Sequence, residues 1–197
     1  MEENNSKTDT KGKESKKPDI KIFVSHRIDL DAETIDNPLY VNVRCGAVFD
    51  KRENIDMLGD DTGDNISEKR ESFNELTVQY WAWKNVEADY YGLCHYRRYL
   101  SFSNKYFKTD VYANVVDNYI TNESIEKYEL INYSNIEKLL QTYNILMTEP
   151  YIVSKAGFKN VKEQWNAVRY FKADYVDMLF ETIDELYPEY LVFAKKY

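Results

Sequence analysis

Apolar and polar positions alternate most clearly in residues 71–100. Phe73, Leu76, Tyr80 and Trp83 recur at spacings of three and four, which predicts an amphipathic helix with these four on the buried face and Thr77 and Lys84 off it. Ser72 and Glu75 have the spacing of a capping box, in which the Ser side chain takes an orphan N–H and the Glu reaches back, so the helix is expected to start there. Asn85 suits its end. The following run of Tyr90, Tyr91, Gly92, Leu93 and Cys94 is too short and too apolar for another helix and predicts a strand buried in a sheet. That strand delivers His95, Tyr96, Arg97 and Arg98 at its carboxyl end.

The same reading along the chain gives a first strand at Ile20, Lys21, Ile22, Phe23 and Val24, which leads to Ser25, His26 and Arg27. Residues 30–37 are polar and acidic ahead of Pro38 and read as a loop, and residues 57–70 are turn-forming. Residues 101–130 are irregular and suit a long excursion over the ligand face. Ser134 and Glu137 repeat the capping-box spacing ahead of a helix to about residue 143, and residues 144–148 (NILMT) read as a strand ended by Pro150. Helix, strand, helix, strand in that order predicts an α/β fold with a mostly parallel sheet flanked by helices. Val161, Trp165 and Val168 predict a helix within 158–172. Tyr175, Met178, Leu179, Ile183 and Leu186 predict a second within 174–187, and a last short helix follows Pro188. Residues 1–18 hold five Lys and four acids with no aliphatic residue after Met1, which predicts a disordered tail before a single domain at 19–197.

Composition narrows the function classes. The 197 residues are 43% hydrophobic, enough for one domain with a substantial core. A formal charge of −8 disfavours nonspecific binding to nucleic acid or to an anionic membrane. The 18 Tyr bring rings with polar tips, which can stack on sugars and bases as well as pack. Cys45 and Cys94 sit in apolar runs without C-x-x-C spacing and read as reduced core residues. With no long apolar run and a polar N-terminus, a cytoplasmic location is expected.

The candidate chemistry lies where open α/β sheets bind ligands, in the crevice outside the carboxyl ends of their strands. Arg97 and Arg98 are planar forks suited to phosphate or carboxylate oxygens. The plainer alternative is a solvated strand end whose Arg pair with nearby Asp. His26 is one of two histidines, either a structural hydrogen-bonder or a ligand contact. The Asp- and Asn-rich stretch 57–70 lacks the D-x-D-x-D-G spacing and closing Glu of a calcium loop, and its plain reading is a solvated turn.

The blocks GDDTGDNISEKR, NELTVQYWAWKN and DYYGLCHYRRYL resemble a bacterial family found in capsular and exopolysaccharide loci, long carried as a domain of unknown function and grouped with glycosyltransferases of the GT-A type. The similarity runs from about residue 21 to the end. It implies a GT-A-like fold with a short extended segment and helical turn at 39–49, and a helical C-terminal part that a complete member would extend. It implies transfer of a sugar from a nucleotide-diphosphate sugar, with UDP favoured, to a growing surface glycan. A lipid-linked acceptor would bring the protein to the inner face of the membrane. The implied donor-site residues are Ser25, His26, Asp60, Asp64, Asn65, Glu75, His95, Tyr96, Arg97 and Arg98, with the Asp-rich loop closing on ribose or sugar hydroxyls and the first strand's edge meeting the base. The catalytic residue is not assigned. His95, Tyr96 and Arg97 stand where the GT-A pattern has a metal-holding D-x-D pair, so no metal ligands are expected and a role for a divalent ion is left open. A nucleotide-sugar or carbohydrate-binding module without turnover is the alternative.

Overall fold

The computed structural model describes residues 17–168 and 174–196. Its sheet has four strands, β1 Ile20–His26, β2 Tyr40–Arg44, β3 Leu58–Gly59 and β4 Tyr90–His95, in the order β3-β2-β1-β4 with every neighbouring pair parallel. β1 is central and buried along nearly its whole length, as its run of Ile, Phe and Val requires of a strand covered on both faces. The register sets His26 opposite Arg44 and Ser25 opposite His95, so the carboxyl ends of β1, β2 and β4 open on one edge.

The helices α1 Arg70–Phe73 and α2 Leu76–Asn85 make the crossover from β3 to β4. Val78, Trp81 and Ala82 of α2 pack on Phe23, Val43 and Cys45, with Phe23 and Trp81 edge to face at 6.3 Å. The buried face of α2 is therefore Thr77, Val78, Trp81 and Ala82, not the expected stripe: Phe73, Leu76 and Trp83 are exposed. Asn74, at φ 46, breaks the chain between Ser72 and Glu75, so the expected capping box does not form and α2 starts with Glu75 as a cap that makes no side-chain bond.

β4 is a strand as expected but lies at the edge of the sheet, with Cys94 buried and Tyr91 and Leu93 open. The expected strand at 144–148 is absent. Ile145 and Met147 are largely exposed, and an apolar run with no neighbour to complete its backbone hydrogen bonds does not become a strand.

The described residues form two compact units. The first, residues up to Asn104 with Asp117–Met147, holds the sheet, α3 Asn122–Lys127 and α4 Tyr133–Thr142. α3 lies within the stretch read as irregular, where Thr121 and Ser124 form a true capping box; α4 is capped by Asn132 instead of Ser134. The second, Lys105–Val116 with the chain from Thr148, holds α5 Val161–Ala167, α6 Tyr175–Leu186 and α7 Pro188–Ala194, close to the helices expected. The expected tail falls outside the described residues up to residue 16; the Lys17 ammonium lies 3.6 Å over the ring of Tyr133, whose hydroxyl donates to the Pro18 carbonyl. Residues 169–172 of the expected helix also lie outside. Among the described residues no helix is long and apolar enough to cross a membrane.

Candidate functional site at the sheet edge

β1 and β4 each end in an imidazole, and Tyr96 stands between them. The Tyr96 ring centroid is 4.2 Å from that of His95 and 6.3 Å from that of His26, and its backbone N–H donates to the Ser25 carbonyl at 3.1 Å. Tyr96 and His26 are buried, so this row of rings is a fixed floor. The chain then turns sharply: the Arg98 N–H donates to the His95 carbonyl at 2.8 Å and the Arg97 N–H to His95 Nδ1 at 3.2 Å. Since Nδ1 accepts, the neutral His95 ring carries its proton on Nε2, which lies 3.8 Å from Glu75 Oε1 at the start of α2.

Arg97 and Arg98 are exposed on this turn, with the Arg97 guanidinium carbon 5.0 Å from the Tyr96 ring. Among the described residues neither forms an ion pair, so the two are a solvated strand end without the expected Asp partners. Burial pushes His95 below its ordinary value despite the Glu75 carboxylate, and the two guanidiniums add to that shift. Burial likewise lowers His26, against a weaker opposing effect from its bond to Asn42.

The edge thus brings together Ser25, His26, Glu75, His95, Tyr96, Arg97 and Arg98. It does not gather the Asp-rich loop. Asp60 is fully buried, and its two oxygens accept the Gly46 and Ala47 N–H groups, both at 2.9 Å, and the hydroxyls of Ser67 and Thr77. It holds the loop together and has no free face for a sugar hydroxyl. Asp64 is fastened to the opposite end of α2, its backbone bonded both ways to the Asn85 amide and its carboxylate accepting from Tyr80. Asn65 spends its amide on Gly63 and Ser67. Among the described residues no group of three His, Cys, Asp or Glu could hold a metal ion.

Other residues at the edge escaped the sequence reading. Asn42 Oδ1 meets His26 Nε2 at 2.9 Å, Arg27 forks onto Asp29 and holds that carboxyl down to about 2, and Arg52 joins Asp50 and Asp31, each at 3.0 Å. Of these, Arg27, Asp31 and Arg52, together with Leu30, Ile55 and Met57, line a recess of about 80 Å³ against His26. Arg27 follows directly on the Ser-His end of β1 and was within reach of sequence reading; Arg52 and Asp31 meet across a loop that no periodicity marks. A larger cleft of about 740 Å³, lined by Ile35, Ile120, Ile125 and Ile131, lies ahead of β2.

Among curated proteins none matches this chain. A solved structure does: the apo structure of the WbbM bifunctional glycosyltransferase superposes with a TM-score of 0.78 at 33% identity, covering 87% of this chain and 30% of that one. The chain therefore spans about a third of the length of that relative. The α/β fold with its mostly parallel sheet is common to both. A family model matches residues 21–197, and the chain belongs to that family, described as a domain of unknown function, DUF4422.

Proposed function

We propose that this chain binds a nucleoside diphosphate sugar, preferably a UDP-sugar, and transfers its sugar to a growing surface glycan of the capsular or exopolysaccharide kind. The observation that carries the reading is the pair of exposed guanidiniums, Arg97 and Arg98, held unspent at the carboxyl edge of the sheet beside a fixed floor of rings. Similarity to a protein named as a bifunctional glycosyltransferase supports it. Residues 19–197 act as one functional domain in this proposal, at the cytoplasmic face of the membrane where a lipid-linked acceptor would be met.

In the reaction the acceptor oxygen bonds to the anomeric carbon while the bond from that carbon to the diphosphate breaks, and the electron pair leaves on the diphosphate. Arg97 and Arg98 match that developing charge in sign and fork geometry. The acceptor's proton needs a base. His95 is unsuited, because Nδ1 accepts from Arg97 and Nε2 is protonated. The half-buried Glu75 carboxylate stands at the same edge and is free of strong bonds to it.

The test is to incubate the chain with UDP-sugars and oligosaccharide acceptors and follow UDP release and acceptor mass. Acceptor-dependent UDP release is expected. Tight nucleotide-sugar binding without turnover would instead make the chain a binding module, and no binding at all would contradict both.

A further inference from the structure

The bonds of His95 turn back onto its own chain. Its Nδ1 accepts the Arg97 N–H at 3.2 Å and its carbonyl accepts the Arg98 N–H at 2.8 Å, so one residue closes the turn that carries both exposed guanidiniums. The backbone pairing is an isolated antiparallel bridge between His95 and Arg98. The ring adds a side-chain acceptor for the N–H two residues on, the arrangement by which Asn and Asp side chains shape turns.

Only the neutral ring makes that bond. A backbone N–H donates and never accepts, so Nδ1 must offer a lone pair, and the imidazolium has none there. With a proton on Nδ1 two donors face each other, and ring and backbone must part. The groups around His95 decide when this happens. Burial lowers its titration, the Glu75 carboxylate of α2 at 3.8 Å from Nε2 opposes that, and Arg98, Arg97 and the His26 ring of β1 lower it again. The balance lies below 6.5, so the accepting form prevails at neutral pH and the proton arrives on acidification.

We propose that His95 is a positioning residue for the diphosphate site: through Nδ1 it holds the turn of Arg97 and Arg98 in its binding shape, and a proton on that atom releases the turn. This rests on the nucleotide-sugar reading above, and it takes His95 out of the set that touches the donor. A direct contact would act in the opposite sense, since an imidazolium attracts a diphosphate.

The experiment is calorimetric titration of the full chain with UDP-glucose and UDP-galactose, whose diphosphates carry no group that titrates near neutrality, at about pH 8 and about pH 5. On acidification the parent should lose about threefold or more in affinity. His95→Asn keeps a side-chain oxygen for the Arg97 N–H and does not titrate, so it should stay near the parent's higher-pH affinity at both values. His95→Ala should bind about threefold or more weakly even at the higher pH; should it fail to fold, the parent and His95→Asn decide between them. A parent that binds more tightly in acid, a parent that weakens no further than His95→Asn, or a folded His95→Ala with parental affinity overturns the assignment while leaving donor binding standing. Binding of neither UDP-sugar at either pH overturns the nucleotide-sugar reading and the assignment with it.

Discussion

The Thr77 hydroxyl donates to the Asp60 carboxylate at 2.6 Å, and this bond joins the loop after β3 to the first turn of α2. The same carboxylate holds the tight turn after β2, where Gly46 sits at φ 70 and a Cβ would press into Arg70. A fully buried carboxylate survives because each of its lone pairs meets a donor. Asp60→Ala takes the acceptor from the Gly46 and Ala47 N–H groups and the Ser67 hydroxyl, while the Thr77 hydroxyl keeps the Asn74 carbonyl at 3.0 Å, so urea denaturation should show a loss of at least about 2 kcal/mol. A loss below about 0.5 kcal/mol, the range of ordinary surface changes, would show that the network adds nothing.

A second contrast separates the two faces of α2. Trp81 is buried against Phe23, and Trp81→Ala should cost about 3–5 kcal/mol. Leu76 is 51% exposed, and Leu76→Ala should stay within about 0.5 kcal/mol. Equal costs in chemical denaturation would contradict the helix orientation.

Stability should fall with acid from the histidines. Both His26 and His95 are depressed below 6.5 in the fold, so the unfolded chain binds their protons first. Stability is therefore full above that value and declines as pH drops from it toward the folded values. His26→Asn should flatten the slope of the unfolding temperature between neutral pH and about 5, the window in which His titrates. An unchanged slope would show that burial of His26 does not govern it.

Donor binding should change little on adding EDTA. The strand end that the GT-A pattern gives to a carboxylate pair carries His95, Tyr96 and Arg97, and the arginines match the diphosphate directly. UDP-sugar affinity abolished by EDTA and restored by manganese would contradict this.

What the sequence revealed follows from the range of the forces involved. β1 and β4 were legible because short runs of Ile, Phe, Val and Tyr bounded by polar residues specify strands locally, and the edge residues follow them directly. The orientation of α2 was not, since two apolar stripes compete along it and the choice is made by the Thr77 bond to Asp60, seventeen residues away. Asp60 and Asp64 look alike in the loop, yet one is sealed in the interior and the other ties down the end of α2. The NILMT run had strand composition and lacked a partner, which composition does not record. The recess at His26 is assembled by contacts with Asn42 and between Arg52 and Asp31, pairings that no local periodicity announces.

The central claim is that the turn after β4 holds the donor diphosphate, and the most direct measurement is UDP-sugar affinity for Arg97→Ala and Arg98→Ala beside the parent. Both side chains are exposed and unpaired by any carboxylate among the described residues, so both variants should unfold at the parent's temperature. At least one should bind about tenfold or more weakly, as the loss of a charge-assisted hydrogen bond of about 1.5–3 kcal/mol requires. Parental affinity in both variants, with lowered unfolding temperatures, would make the pair structural and contradict the account.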